Sequence, residues 1–289
     1  MKIYNLGSLN IDNVYRVPHF VRAGETLSSA NMEVFPGGKG LNQSIALARA
    51  GATVIHGGMI GTDGAFLEDL LIKNGAKSRI ETQNSPTGHA IIQVDDEGHN
   101  CILLFGGANQ MVDEDYVRRF LSDAAPGDLL LLQNEVSNLP AIFAVAAEKG
   151  LDIAFNPSPF SEKLLELPLD QVKWWFCNEI EGEALFGSNK PDTIADHFRS
   201  KYPNSNLVLT LGSRGSLFAN AQGVVCQNAI RTDVVDTTAA GDTFTGYFLQ
   251  AVTTGNSPEK ALLTAAKAAA IAVSRKGASV SIPTMAELN

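Results

Sequence analysis

Residues 41–58 read LNQSIALARAGATVIHGG and contain a helical pattern followed directly by a strand pattern. Up to Ala52 the apolar side chains recur at helical spacing, and a short apolar run that ends in two glycines follows. A helix that leads at once into a buried strand is typical of parallel sheets, whose crossover connections are helices. This stretch therefore predicts an α/β fold.

The same alternation extends over most of the 289 residues. Further helical patterns occupy residues 65–76 and 138–150, and the apolar runs between helices end in Gly, Asn, Gln or Ser. These runs are IYNLGS, DLLLLQ, LDIAFN, WWFCN and LVLTLG. They predict a doubly wound, mostly parallel sheet with helices on both faces, in a single domain over residues 1–289. Ligands of such sheets bind at the carboxyl ends of the strands.

Two segments, at about residues 12–36 and 88–106, carry strand patterns without helical patterns. The second predicts a hairpin with its turn at residues 95–98. Together the segments form either a small projecting β-sheet that covers a pocket as a lid, or extra edge strands of the main sheet. In the first case an apolar face would be left to bury, so we expect a homodimer that pairs through the lid.

Composition excludes several classes of partner. The net charge of −9 argues against a nucleic-acid surface, which needs clustered Lys and Arg. The most apolar late segment, residues 261–273, contains Lys267 and is too short to cross a membrane. Three widely spaced cysteines favour reduced thiols, and the N-terminal residues resemble a first strand more than a signal peptide. We therefore expect a cytoplasmic protein.

Five polar clusters lie where a predicted strand ends or a helix begins. Each cluster alone is also explained by a turn, a helix cap or a solvated charge, but strand ends share one edge of a parallel sheet. P-loop, GxGxxG, HExxH and GxSxG motifs are absent from the sequence. The clusters are Asn10 with Asp12, residues 37–40 with Asn42, Glu135, Asn178 with Glu181, and residues 210–215.

The segment DTTAAGDTF, residues 236–244, places Asp242 at the start of an apolar helical pattern. One hypothesis is helix capping, because Asp is a preferred N-cap residue and its charge suits the helix dipole. The other is chemistry, because small residues admit a phosphate to helix-start N–H groups and the carboxylate can accept a proton. The nine residues alone leave both open.

The segments GGKGLNQSIALARAGA and DTTAAGDTFTGYF resemble the two signature segments of the ribokinase-like (PfkB-type) sugar kinases. Further pieces of the family pattern follow in order along nearly the whole chain: NID, the hairpin ending in GGAN, NEIE, TLGSRG and RKGASVSIP. Leu41 stands where relatives commonly have a small residue, which bears on the shape of the sugar pocket.

The resemblance implies a role for each cluster. Asp242 would be the general base, and Ala239, Ala240 and Gly241 would form the anion hole for the phosphoryl group. The residues that would bind the sugar are Asn10, Asp12, Gly38, Lys39, Asn42 and Glu135. Those that would lie along ATP are Asn178, Thr210, Leu211, Gly212, Ser213, Arg214, Gly215 and Gly241.

The resemblance also implies two metal ions. Glu181 would help to hold the water shell of Mg²⁺. A loop for K⁺ would use the side chains of Asp236 and Ser281 with the carbonyls of Thr238, Ala272, Arg275 and Gly277. An all-oxygen site suits a hard cation.

The implied activity is ATP-dependent phosphorylation of a small sugar at its terminal hydroxyl, with ribose as the expected substrate. Deoxyribose, fructose or pseudouridine are alternatives within the family. A sugar-binding protein of the same fold without turnover is the alternative from another class, but it would not need a base and metal residues together.

Overall fold

A nine-stranded sheet forms the centre of the computed structural model, which describes residues 1–288. The strands are β1 (Ile3–Leu6), β2 (Asn10–Arg16), β3 (Asn31–Gly37), β4 (Val54–Ile60), β5 (Lys77–Thr82), β6 (Gly88–Val94), β7 (Asn100–Phe105), β8 (Leu129–Gln133), β9 (Asp152–Asn156), β10 (Val172–Asn178), β11 (Asn206–Thr210), β12 (Ser216–Asn220) and β13 (Gly223–Gln227). The helices are α1 (Lys39–Arg49), α2 (Ala65–Lys73), α3 (Glu114–Phe120), α4 (Leu139–Glu148), α5 (Glu179–Phe186), α6 (Pro191–Lys201), α7 (Ala240–Thr253) and α8 (Pro258–Val273).

The large sheet has the order β13-β12-β11-β10-β9-β8-β1-β4-β5. Seven strands of this sheet pair in parallel: β11, β10, β9, β8, β1, β4 and β5. Next to β11, β12 and β13 add an antiparallel edge. The predicted doubly wound, mostly parallel sheet is thereby confirmed. The short segments that became β12 and β13 were not assigned by the sequence pattern.

Each face of the large sheet packs against its own helices. Along β8, Leu130 and Leu132 join the core beneath α3 to α6, while Leu129 and Leu131 join the core beneath α1, α2, α7 and α8. Alternate side chains of a strand point to opposite faces. A strand buried on both faces therefore needs the continuous apolar run that the sequence has here.

A separate four-stranded sheet has the order β3-β2-β6-β7. It resolves the choice left open by the sequence, because none of its strands pairs with the large sheet. The predicted hairpin is β6 and β7, and the Asp95 carboxylate in its turn accepts hydrogen bonds from the N–H groups of Glu97 and His99. Every residue of β7 is exposed.

The helix start at α1 differs by two residues from the predicted pattern. α1 begins at Lys39, and Gly38 is its N-cap with φ of 96°. This left-handed conformation favours glycine. Leu41 is fully buried in the core beneath α1. Within residues 1–288, no helix has both the length and the apolar character needed to span a bilayer.

Candidate active site

The carboxyl ends of the parallel strands bring the polar clusters to one edge of the large sheet. Asn156 ends β9, Asn178 ends β10 and Thr210 ends β11, and all three line a cavity of about 230 Å³ that extends to the start of α7. A second cavity, of about 200 Å³, is lined by Asn10 and Glu135 among others. We refer to them as the helix-side cavity and the small-sheet cavity.

The start of α7 distinguishes the two hypotheses for Asp242. The N-cap is Ala239, with φ of 59°, and no side chain caps the helix. Asp242 is the third helical residue, and its carboxylate accepts hydrogen bonds from Asn42 Nδ2 at 3.0 Å and Gln43 Nε2 at 2.9 Å. Asp242 is therefore not the N-cap residue, although its charge still lies in the first turn of the helix. Because no side chain caps α7, N–H groups at its start can bind an anion, and that of Ala240 also donates to the Thr237 carbonyl at 3.2 Å.

The environment of Asp242 adjusts its proton affinity. Burial raises the pKa of this carboxyl to about 6, and Glu135 adds to the rise, while Lys39 and the hydrogen bonds from Gln43 and Asn42 lower it. A carboxylate that titrates near neutral pH combines a large ionised fraction with the basicity that proton abstraction needs. Asp242 can therefore act as a general base.

Lys39 and Glu135 connect the two cavities. The Lys39 ammonium lies 2.8 Å from Glu135 Oε1, and the Lys39 backbone N–H donates to Glu135 Oε2 at 3.0 Å. Ser8 also donates to this carboxylate. Burial opposes the charge of Lys39, but Glu135 and Asp242 outweigh it and raise the pKa of the ammonium. Lys39 therefore stays cationic and lines the helix-side cavity.

The remaining predicted sugar residues cluster around the start of β2. Asn10 Oδ1 accepts a hydrogen bond from Asn109 at 2.8 Å. Asp12 packs against Gly37, where a Cβ atom would clash with the carboxylate. Burial and the charge of Glu135 raise the pKa of Asp12 to about 6, although Lys39 lowers it. The backbone of Gly38 lies close to Ser8, which leaves no space for a side chain.

Asn178 and Glu181 form a capping box at the start of α5. The Asn178 side chain accepts from the Glu181 N–H at 2.9 Å, and Glu181 accepts from the Asn178 N–H at 2.7 Å. Both residues line the helix-side cavity. Glu181 lines the same cavity as Asp242, and its carboxylate can accept hydrogen bonds from the water molecules around Mg²⁺. The residues present therefore fit a magnesium ion held through water.

The predicted nucleotide loop follows β11. Thr210 lines the helix-side cavity, whereas the five residues after it do not. Leu211, Gly212, Ser213, Arg214 and Gly215 form a tight turn beside it, closed by a hydrogen bond from the Leu211 N–H to the Gly215 carbonyl. Arg214 pairs with Glu179 of α5.

The two halves of the predicted cation loop are in contact. Asp236 Oδ2 accepts from the Gly277 N–H at 2.9 Å, and Oδ1 accepts from the N–H and hydroxyl of Thr238. Burial raises the pKa of Asp236, but these hydrogen bonds and Lys276 outweigh it and lower the pKa, so the carboxylate stays ionised.

Two further groups of the predicted cation loop already take part in local hydrogen bonds. The Ala272 carbonyl accepts from the Arg275 N–H, and the buried Ser281 hydroxyl donates to the Ala278 carbonyl. One carboxylate with neutral oxygens suits a monovalent ion better than Mg²⁺, which demands tight octahedral geometry. The residues present therefore fit K⁺ by the chemistry of the donor set.

The sequence analysis missed the buried amides behind Asp242. Gln43 follows the predicted Asn42, and Gln133 and Asn156 are the last residues of β8 and β9. Each is at a strand or helix end like the predicted residues, so their positions contained a signal. Their hydrogen-bond partners lie 90 to 199 residues away in the chain, so a local sequence pattern does not identify these pairs.

A carboxylate that can act as a base lies at the start of α7 in the helix-side cavity, and the Lys39–Glu135 pair links this cavity to the small-sheet cavity. This arrangement suits the transfer of a phosphoryl group to a hydroxyl. Fold and site together therefore define the class of a small-molecule kinase. The sequence model described as pfkB family carbohydrate kinase matches residues 2–285. The chain belongs to this family.

Individual relatives agree with this membership. The ribokinase of Haemophilus influenzae is 36% identical over 296 residues, which cover 98% of this chain and 95% of that protein. A crystal structure of ribokinase from Cryptococcus neoformans in complex with ADP superposes with a TM-score of 0.85 at 35% identity, covering 99% of this chain and 98% of the other. The Arabidopsis thaliana ribokinase complexed with ribose and ATP gives 0.84 at 27% identity, with coverage of 99% and 97%.

Proposed function

We propose that this carbohydrate kinase transfers the γ-phosphoryl group of ATP to the terminal hydroxyl of ribose and so forms ribose 5-phosphate and ADP. The observation that carries the proposal is the position of Asp242, a partly buried carboxylate in the first turn of α7, where desolvation raises its pKa to about 6. The relatives in complex with ADP, or with ribose and ATP, support the choice of substrates.

Ribose would occupy the small-sheet cavity. Its lining includes amide groups from Asn10, Asn109 and Asn134 and the carboxylate of Glu135. Amides and carboxylates hydrogen-bond several hydroxyls at once, which suits a polyol. Lys39 and Asn42 extend from α1 toward Glu135 and Asp242, at the boundary with the helix-side cavity.

ATP would place its phosphates in the helix-side cavity. Asp242 removes the proton of the sugar hydroxyl as the hydroxyl oxygen attacks the γ-phosphorus. The bond between this phosphorus and the bridging oxygen, which leaves with ADP, then breaks. The N–H groups at Ala239, Ala240 and Gly241 stabilise the charge that develops on the transferred group. Lys39 adds a fixed positive charge to this cavity. Glu181 would hold Mg²⁺ through water, and the ion, when bound, would neutralise charge on the phosphate oxygens.

K⁺ would bind between Asp236 and the segment from Ala272 to Ser281. Asp236 is three residues before Ala239 in the sequence, so a cation there would order the backbone that receives the phosphate. The contribution of the ion is electrostatic ordering of this loop.

The small sheet would act as a lid over the sugar and as the contact between two copies of the chain. Leu104 of β7 lines the small-sheet cavity, which supports the first role. Exposed apolar side chains support the second, since Ile91 and Leu103 are neighbours on β6 and β7, and Val34 of β3 lies in the same row beyond Asn13 of β2. A second copy is the occupant that such exposed apolar strands favour. Three unpaired cysteines support a reducing, cytoplasmic location.

A coupled ADP-release assay tests the proposal. Ribose, 2-deoxyribose, fructose and pseudouridine are compared at equal concentrations, with 5-deoxyribose as a control that lacks the acceptor hydroxyl. We expect the highest kcat/KM with ribose, no turnover of 5-deoxyribose, and a phosphate ester at C5 by ³¹P NMR. Higher kcat/KM with another acceptor, or ADP release that no sugar stimulates, would reject ribose as the substrate.

A further inference from the structure

A chain of buried amides extends from Asp242 into the core of the large sheet. Gln43 Nε2 donates to Asp242 Oδ1 at 2.9 Å and to Asn156 Oδ1 at 3.3 Å. Gln43 Oε1 accepts from Gln133 Nε2 at 2.7 Å, and Gln133 Nε2 also donates to Asn5 Oδ1 at 3.0 Å. Gln43, Gln133 and Asn5 are fully buried.

The hydrogen bonds fix the orientation of every amide in this chain. Asn5 Nδ2 uses both hydrogens, on the Gly40 carbonyl and on Ser44 Oγ, so its oxygen must face Gln133. Gln133 then presents its NH₂ group to Gln43 Oε1. A rotation of the Gln43 amide by 180° would point its oxygen at Asp242 and leave two NH₂ groups facing each other.

We propose that Gln43 is a positioning residue for the catalytic base. Anchored by Gln133 and Asn5, its amide fixes Oδ1 of Asp242, so that Oδ2, which accepts from Asn42, is the oxygen directed to the sugar hydroxyl. The second partner of Asp242 cannot take this role alone. Asn42 Oδ1 is buried without a hydrogen-bond partner among residues 1–288, so the Asn42 amide lacks the kind of anchor that Gln133 gives to Gln43. The inference rests on the proposed kinase activity.

A positioning role has a signature in the pH dependence. A hydrogen bond donated to the ionised carboxylate stabilises that form, so its loss should move the acid limb of the kcat profile upward by roughly one pH unit. The charged groups that face Asp242 are Lys39 of α1 and Glu135 after β8, and Glu181 of α5 acts on Lys39. Gln43→Met leaves all of them unchanged.

The test compares Gln43→Met with the matched variant Ile45→Val. Met has nearly the length of Gln but donates no hydrogen bond. Ile45 lies two residues further along α1 and is equally buried, so Ile45→Val disturbs the same helix without removing a hydrogen bond from the amide chain or from Asp242.

For Gln43→Met we expect the shifted acid limb and a roughly 10- to 100-fold lower kcat, part of it persisting at pH 8.5 where the base is ionised in both enzymes. The KM for ATP should stay near the wild-type value. Ile45→Val should lower the thermal midpoint slightly, because it removes a buried methyl group, and leave the acid limb in place.

If Gln43→Met does not fold, the same measurements are made on Gln133→Met. This variant removes the anchor of Gln43 and should shift the acid limb of the kcat profile in the same direction by a smaller amount. Wild-type enzyme without activity on any sugar would reject the proposed function. Active wild type together with an unmoved acid limb in the Gln variants would reject the role of Gln43 alone.

Discussion

Asp242→Asn separates chemistry from stability at the start of α7. The substitution keeps the size of the side chain and removes its ability to take the proton. Loss of a general base costs about 10²- to 10⁴-fold in turnover. ATP affinity should change little, because no predicted nucleotide contact requires the charge of Asp242.

The stability effect should have the opposite sign. Burial raises the pKa of Asp242 from 3.8 to about 6, so ionising it costs the folded protein at most about 3 kcal/mol at neutral pH. Because the folded pKa is the higher one, the wild type loses this stability as pH rises from about 4 to about 6. The introduced amide avoids the loss. Rotation of Asn42, whose Oδ1 has no partner, can supply the acceptor that the new NH₂ group needs.

We therefore expect Asp242→Asn to be more stable than wild type by about 1–3 kcal/mol at pH 7.5, with the difference shrinking toward zero near pH 4. Urea unfolding at both pH values and the coupled ADP-release assay measure the two effects. Turnover within tenfold of wild type would refute the assignment of the base. A variant that is less stable at pH 7.5 would refute the account of the buried charge.

Three further predictions concern other parts of the molecule. With saturating Mg-ATP and sugar, turnover should be higher in K⁺ than in Na⁺ or a bulky organic cation at equal ionic strength, and Asp236→Asn should remove the difference; equal rates in all three salts for the wild type contradict the cation loop. Light scattering at micromolar concentration should report a dimer, and a monomer there would exclude pairing through the small sheet. Gly40→Ala would place a Cβ against the backbone of Gly7 and Ser8, so urea unfolding should show a loss of about 1–3 kcal/mol together with lower turnover, and unchanged stability would contradict this close packing.

The sequence predicted the elements whose pattern is dictated by burial on both sides. Residues 129–132 are four leucines because each face of β8 meets a separate core. A short run in which every residue is apolar has few structural interpretations other than a strand buried on both faces. β13 and α6 were not predicted. β13 is an edge strand with no fully buried residue, and α6 buries only Ile194, Ala195 and Phe198, so their patterns are weak.

A site residue could be predicted where its position at the end of a strand or the start of a helix is enough to place it in the site. Residues at strand ends meet at one edge whatever their detailed contacts, which is why Asn178, Glu135 and Asp242 converge. The pairing of Asp242 with Gln43 depends on how α1 and α7 pack, and close approach at Gly246 of α7 against Ala46 of α1 sets that distance. Such contacts arise from tertiary packing and have no local pattern.

The small sheet is assembled from two hairpin-like parts that are distant in the chain. β2 pairs in parallel with β6 from Asn10 opposite Gly88 to Arg16 opposite Val94. The chain between β3 and β6 forms α1, β4, α2 and β5. These elements must pack as part of the large sheet and its helices before β2 and β6 come together. The entropy of closing this long loop delays the pairing. During refolding, the environment of Trp174 and Trp175 in β10 should therefore become native before the sugar pocket is complete, so that catalytic competence is the last property the chain acquires.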